Sequence, residues 1–353
     1  MKKPWITNKA LEHWLRGPPK YFFLFIIGTF FVAQVVYYAV DLKNFTKYYD
    51  LRGDYLGQDD FITYLFKPII RADKDNIVMT VGGDLRYGPK LMNVAKNGNL
   101  SEPLADLIPI FNSSDINILT LDGPITTSQT PRTCTRTEKE FNRCCTEDCF
   151  WKNDGSILPA LKEIGINGFS VENDHIFDFG REGIEDTLYF LRKILIPYSG
   201  LGYRTLYRLK DCDVTVYSYN WAYQGDSFYD RVLNLMTRDM KARGTGAIIV
   251  FMHGGDYNGH TKTDFQQEFA RTAIDNGASI VIGTHSKNHQ ESETYKNKKI
   301  YYGLGSIFNE NSKASDSNEF TLLNFEIQQC RDIVNIQEIK AQRDPKSMQI
   351  SII

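Results

Sequence analysis

Net charge is almost absent. The 353-residue chain sets 41 Lys and Arg against 43 Asp and Glu, a formal charge of −2. No basic field exists to hold a polyanionic backbone, so nucleic-acid wrapping is excluded. Internal repeats of 20–50 residues are lacking too, which excludes solenoids and propellers. With 42% apolar and 24% charged residues, disorder, collagen and coiled coil are excluded and a full core is expected.

The segment Tyr21–Val40 has no charge at all. Its 20 residues would span about 30 Å as a helix. Tyr21, Tyr37 and Tyr38 stand near its ends, where interface anchors belong. Lys2, Lys3, Lys9, Arg16 and Lys20 precede it against Glu12 alone, while Asp41, Lys43, Lys47 and Asp50 nearly cancel behind it. The positive-inside rule then predicts a single-pass type II membrane protein, with a cytosolic tail over 1–20, a signal anchor over 21–40 and the rest extracytoplasmic. A cleaved signal peptide is the rival reading, but the basic region is long and VVYYAVDLK is a poor cleavage site. A buried core helix would show polar residues at helical spacing.

Cysteine is scarce but clustered. Cys134, Cys144, Cys145 and Cys149 fall close together, with Cys212 and Cys330 far away. The pattern lacks the paired CxxC spacing and nearby His of a zinc knuckle. An even count of six suits disulfides in an oxidising compartment. Asn44, Asn99 and Asn112 open N-x-S/T sequons, a weak sign of the same side.

The soluble part alternates. Residues 41–74 read as a stalk or lead-in. Strands are expected at 77–84, 115–123, 166–171, 213–219, 247–255, 278–284, 299–308 and 320–328, and helices at 101–111, 156–164, 182–195, 227–242 and 263–276. Residues 341–353 read as a tail. This order predicts an α/β domain over 75–340 built as a layered sheet sandwich with helices outside, interrupted by a Cys-rich insertion at 126–152.

Metal-type side chains gather at strand ends. His253 and His285 each follow an apolar strand directly, His175 lies just beyond another, and Asp84 and Asp122 close two more beside Gly. Taken singly, the aspartates could be turn formers, His175 a core histidine and Asp178 a helix cap. Together, carboxylate and imidazole at these strand ends form a ligand set for a divalent ion on the edge where open α/β sheets bind ligands.

Five segments in order, VGGDLRYG (81–88), LDGPIT (121–126), VENDHIFDFGREGIEDTL (171–188), MHGGDYN (252–258) and the run from Ala273 to Phe308, resemble the bacterial capsule-synthesis CapA family. Its poly-γ-glutamate capsule domain (PGA_cap) has a calcineurin-like metallophosphatase fold, a four-layer α/β/β/α sandwich. The resemblance implies that fold here, preceded by one transmembrane helix. It implies Asp84, Asp122, Asp174, His253 and His285 as metal ligands, His175, Asp178 and Arg86 as catalytic groups, and Lys287, Gln290 and Asp256 as substrate-binding groups. Asp122 and Asp256 stand where the family pattern has Glu, and Asp174 where it has Asn. Arg86 and Lys287 stand where imidazoles are usual. A permanent cation is no metal ligand and disfavours a neighbouring divalent ion, but it donates well to a carboxylate or phosphate. At most one divalent ion is therefore expected.

Three functions follow from the resemblance. The first is a membrane-anchored factor for synthesis, export or release of an anionic polymer such as poly-γ-glutamate, with membrane-embedded synthase subunits as partners. The second is a metal-dependent phosphoesterase or related hydrolase. The third is a catalytically degenerate binding ectodomain. The insertion generates a separate prediction: at least one bridge should join two of Cys134, Cys144, Cys145 and Cys149, other than the strained vicinal pair. Mass spectrometry of the protein from its own compartment should find this crosslink; free thiols at all six cysteines would refute it.

Overall fold

The computed structural model describes residues 70–71, 76–96, 100–132, 150–208, 213–222, 226–241, 246–309 and 318–353. The expected membrane anchor (21–40), the cytosolic tail and the four clustered cysteines lie outside them. Among the described residues no helix is long and apolar enough to cross a membrane.

Two sheets organise the chain. The seven-stranded sheet runs in the order β1 (Ile70–Arg71), β6 (Thr205–Arg208), β7 (Asp213–Asn220), β8 (Ile248–His253), β9 (Ile280–Thr284), β11 (Lys298–Tyr301), β10 (Ser292–Tyr295). The eight-stranded sheet runs β15 (Ile350–Ile352), β14 (Asp332–Arg343), β13 (Glu319–Gln328), β2 (Ile77–Arg86), β3 (Ile116–Leu121), β4 (Gly168–Ser170), β5 (Tyr198–Ser199), with β12 (Ser306–Asn309) also paired to β2. The central strands β2–β3–β4 and β7–β8–β9 are parallel. Their near-continuous apolar runs, INILTL and IIVFMH, are buried along their whole length. That is the pattern of strands covered on both faces.

Helices fill the connections. Between strands of the eight-stranded sheet come α1 (Pro89–Lys96), α2 (Ile108–Ser113), α3 (Leu158–Glu163) and α4 (Gly180–Lys193); between strands of the seven-stranded sheet come α5 (Asp226–Lys241) and α6 (Asp264–Asp275). Helix α4 buries Ile184, Leu188 and Leu191 at helical spacing, with Glu182 in its first turn and Arg192 and Lys193 in its last, as the helix dipole favours. A Thr263–Gln266 capping box starts α6, satisfying two backbone donors at once.

One apolar cluster joins the sheets. Met79, Val81 and Ile118 of one meet Val216, Ile249, Phe251 and Ile282 of the other. Each such side chain contributes about 1.5–3 kcal/mol by leaving water. The far face of the seven-stranded sheet packs Tyr219, Val250 and Met252 against Val232 and Met236 of α5 and Phe269 and Ala273 of α6.

Three expectations need correction. The helix expected at 101–111 is turn up to Leu107, then α2. Pro109 fits a helix only in its first turn, so the helix starts beside it. The strand expected at 299–308 is two strands in different sheets, β11 and β12, separated by a turn at Gly305 with φ +76°. The expected tail at 341–353 is sheet: Ala341–Arg343 pairs with β15, and Met348 and Ile350 are buried. Of the expected lead-in, Ile70–Arg71 adds an edge strand beside β6. The residues that flank the insertion, Ile125 and Asn153, pair through a bridge that closes its base.

The Gly82-Gly83 pair in β2 gives a stability prediction. A Cβ at Gly83 would fall 1.9 Å from the Gly305 carbonyl oxygen, whereas one at Gly82 meets only side-chain ends at 2.6–2.8 Å. Gly83→Ala must therefore push one backbone away from another, and should cost about 3 kcal/mol in urea unfolding. Gly82→Ala should cost less; the reverse order would show that β12 does not clamp β2.

Candidate metal centre

The carboxyl-terminal ends of parallel strands from both sheets converge on one cluster. Asp84 lies near the end of β2, Asp122 directly after β3, Asp174 just beyond β4, His253 at the end of β8 and His285 directly after β9. The contacts cross between the sheets. The His285 backbone N–H donates to Asp84 Oδ2 at 3.0 Å, and His253 Nε2 lies 2.8 Å from Asp174 Oδ1. His285 has φ +84°. This left-handed backbone costs a non-glycine residue about 1–3 kcal/mol and persists only where neighbours impose it. The Asp84 contact is one that does.

The imidazoles are oriented from behind. Thr284 Oγ1 lies 2.9 Å from His253 Nδ1 and 3.4 Å from the Met252 carbonyl oxygen, and so holds the ring from one side. On the other side His253 Nε2 faces the Asp174 carboxylate at 2.8 Å and His285 Nδ1 at 3.2 Å. A proton held between Nε2 and the carboxylate, or a cation in its place, satisfies both atoms. Asp174, His253 and His285 bring their ligand atoms within 4.8 Å of one another, as do Asp122, Asp174 and His175. Buried Asp84 Oδ1 and Asp122 Oδ1 have no hydrogen-bond partner. These donors and these unsatisfied oxygens fit a divalent ion with mixed nitrogen and oxygen ligation.

The electrostatics point the same way. Burial pushes the Asp84 carboxyl well above its ordinary range, and Asp122 adds to the shift. For Asp174 burial acts in the same sense, but His175, His285 and the His253 contact outweigh it and hold the carboxyl well below its ordinary range. Burial lowers His253. Arg86 donates through both Nε and Nη2 to Asp122 Oδ2, at 2.8 and 2.6 Å. Burial alone would discharge it, but Asp122 and its other anionic neighbours raise its pKa instead. His175 Nδ1 lies 2.7 Å from Asp178 Oδ2, which also receives the Trp151 N–H at 2.7 Å. For His175, burial and Arg86 are outweighed by Asp174 and Asp178, which raise its pKa. Burial raises that of Asp178.

Eight of the residues singled out in the sequence thus come together: Asp84, Arg86, Asp122, Asp174, His175, Asp178, His253 and His285. Lys287 stands beside them. Its amine lies 4.3 Å from the centre of the Tyr257 ring, which in turn lies 5.4 Å from the His285 ring. Gln290 is buried, and its amide is spent on Gly259, Thr261 and Gln266, so it anchors a loop. Asp256 is exposed and its carbonyl closes a turn to Gly259. Three residues escaped sequence reasoning. Thr284 and Tyr257 adjoin recognised motif residues and could have been read from them. Trp151, whose ring lies 5.8 Å from the Arg86 guanidinium, follows the clustered cysteines and carried no signal.

The family described as "Bacterial capsule synthesis protein PGA_cap" matches residues 78–311. A capsule biosynthesis protein CapA from Bacillus anthracis is 21% identical over 265 residues, covering 68% of this chain and 61% of the relative. A PGA biosynthesis protein CapA from Bacillus subtilis is 22% identical over 260 residues, covering 68% and 65%. A probable polyglutamine synthesis accessory protein from Mycobacterium tuberculosis is 27% identical over 178 residues, covering 42% and 47%. The chain therefore spans less than two thirds of the length of each of these relatives.

Asp84 sets a pH-dependent prediction. A carboxyl raised in the folded state stabilises the fold fully below its ordinary pKa of 3.8, and loses that contribution as pH rises through the folded value. Asp84→Asn keeps an acceptor for the His285 amide and removes the buried charge. In chelator-treated protein at pH 7 it should raise the melting temperature by about 3 °C or more, with the gain vanishing below about pH 4. A lower melting temperature, or a gain independent of pH, would show that the charge is not strained.

Proposed function

Because the chain belongs to the bacterial capsule synthesis protein PGA_cap family, we propose that it acts in the synthesis, export or release of an anionic capsule-type polymer such as poly-γ-glutamate. One observation carries this. The matched segment, residues 78–311, contains every strand end that supplies the buried cluster. The capsule and polyglutamate roles named for the relatives support it. In this reading the two sheets and their helices form a four-layer sandwich of metallophosphatase type, and the cluster holds a divalent ion. The uncharged segment 21–40 anchors the chain beside membrane-embedded synthase subunits. Extracytoplasmic placement is supported by Cys330, the one cysteine among the described residues, which is not a free thiol.

The His175–Asp178 pair favours a second, compatible reading, a phosphoesterase-like hydrolase. A divalent ion supplies Lewis-acid polarisation and an activated water. Asp178 orients His175 through Nδ1 and leaves Nε2 to deliver a proton to a leaving oxygen. Deleting the gene should abolish cell-associated polyglutamate. Native protein should restore it, and a His253→Ala, His285→Ala double variant should not. Unchanged polymer in the deletion strain would overturn the polymer reading. Full rescue by the variant would remove the cluster from the function.

A further inference from the structure

Two donor groups share Asp174, and each could claim an ion. They differ in what already occupies them. In the group of Asp174, His253 and His285, the three ligand atoms meet with no permanent cation among them. In the group of Asp122, Asp174 and His175, the Arg86 guanidinium is already seated. It grips Asp122 Oδ2 through two N–H groups, and the Trp151 ring lies 5.8 Å from it. Arg86 is buried, so water screens little of its charge. His175 is also partly spent, with Nδ1 on Asp178.

We infer that the centre takes a single divalent ion at Asp174, His253 and His285, and that Arg86 closes the Asp122 group to a second one. The inference rests on reading the cluster as a metal site and fixes how many ions it holds. The guanidinium already neutralises the Asp122 carboxylate that a second ion would need, and its permanent buried charge repels that ion. Asp84 Oδ1, 3.7 Å from His253 Nδ1, is buried without a hydrogen-bond partner, so acceptor capacity is left over beside this group.

Manganese is the probe, because Mn²⁺ reports both its number and its proximity to another ion. The full chain, stripped with chelator and loaded with Mn²⁺, should hold one ion per chain by elemental analysis. Its electron paramagnetic resonance should show isolated Mn²⁺ with no exchange coupling. Two ions per chain, or a coupled signal, would overturn the inference and leave the polymer role intact. No bound Mn²⁺ would overturn both the inference and the metal component of the proposed function, while the deletion phenotype would still stand. Arg86→Met removes the charge and roughly keeps the volume, and should raise the count to two. A folded Arg86→Met protein that still holds one ion would show that the guanidinium is not what closes the second group. If that variant fails to fold, the stoichiometry and spectrum of the native chain decide alone.

Discussion

Three carboxylates buried where two sheets meet are the constraint on which the rest of this structure depends. Asp84 and Asp122 come from neighbouring strands of one sheet and Asp174 from the loop after a third. All are largely shielded from water, a state that costs several kcal/mol for an isolated charge. The fold answers with cations and donors set around them. Arg86 comes from the same strand as Asp84. The imidazoles come from the opposite sheet. The cluster is therefore a polar tie across an interface that is otherwise apolar. A proton or a metal ion placed there couples the register of one sheet to that of the other.

Backbone features serve this meeting. Gly83 lets β2 approach the turn at Gly305, which brings Asp84 opposite Ser306 of β12. His285 adopts a left-handed backbone at the end of β9, where its amide reaches Asp84 while its ring turns toward His253. Strained residues of this kind persist where surrounding contacts over-determine them, and they gather at functional sites. Asn173 does related work: its side chain takes the Gly123 N–H and donates to the Leu121 carbonyl, so the β3 turn that carries Asp122 is tied to the loop that carries Asp174.

The sequence made the parallel strands legible because burial on both faces writes them as unbroken apolar runs. It made the site legible because metal-type side chains fell directly at the ends of those runs. What stayed hidden had a physical reason in each case. Strand β14 is mostly exposed or half-buried, and its DIVNIQEIKAQR reads as polar surface. Strand β15 is three residues long and owes its existence to pairing with β14. The split of 299–308 between sheets depends on one glycine dihedral, and no periodicity reports a dihedral. Asp256 and Gln290 sat in the right motifs, yet one faces solvent and the other secures a loop. Adjacency in a motif places a backbone near a site, and tertiary packing decides where the side chain goes.

The insertion illustrates the same separation of chain position from role. Composition marks it as surface, but its described ends reach into the centre. The Arg132 N–H donates to the Asp178 carbonyl, and the Trp151 N–H donates to the Asp178 carboxylate. Lys152 donates to the Ser128 carbonyl, closing one end against the other. Thr126 and Ser128 reach Asp186 and Glu182 of helix α4. Asp178 thus receives one donor from each end of the insertion, and the oxygen that takes Trp151 also faces His175. An N–H donor on that oxygen stabilises the carboxylate form, which is the form that accepts the His175 Nδ1 proton and fixes the ring. The orientation of His175 therefore depends on a loop whose composition alone would assign it to the surface.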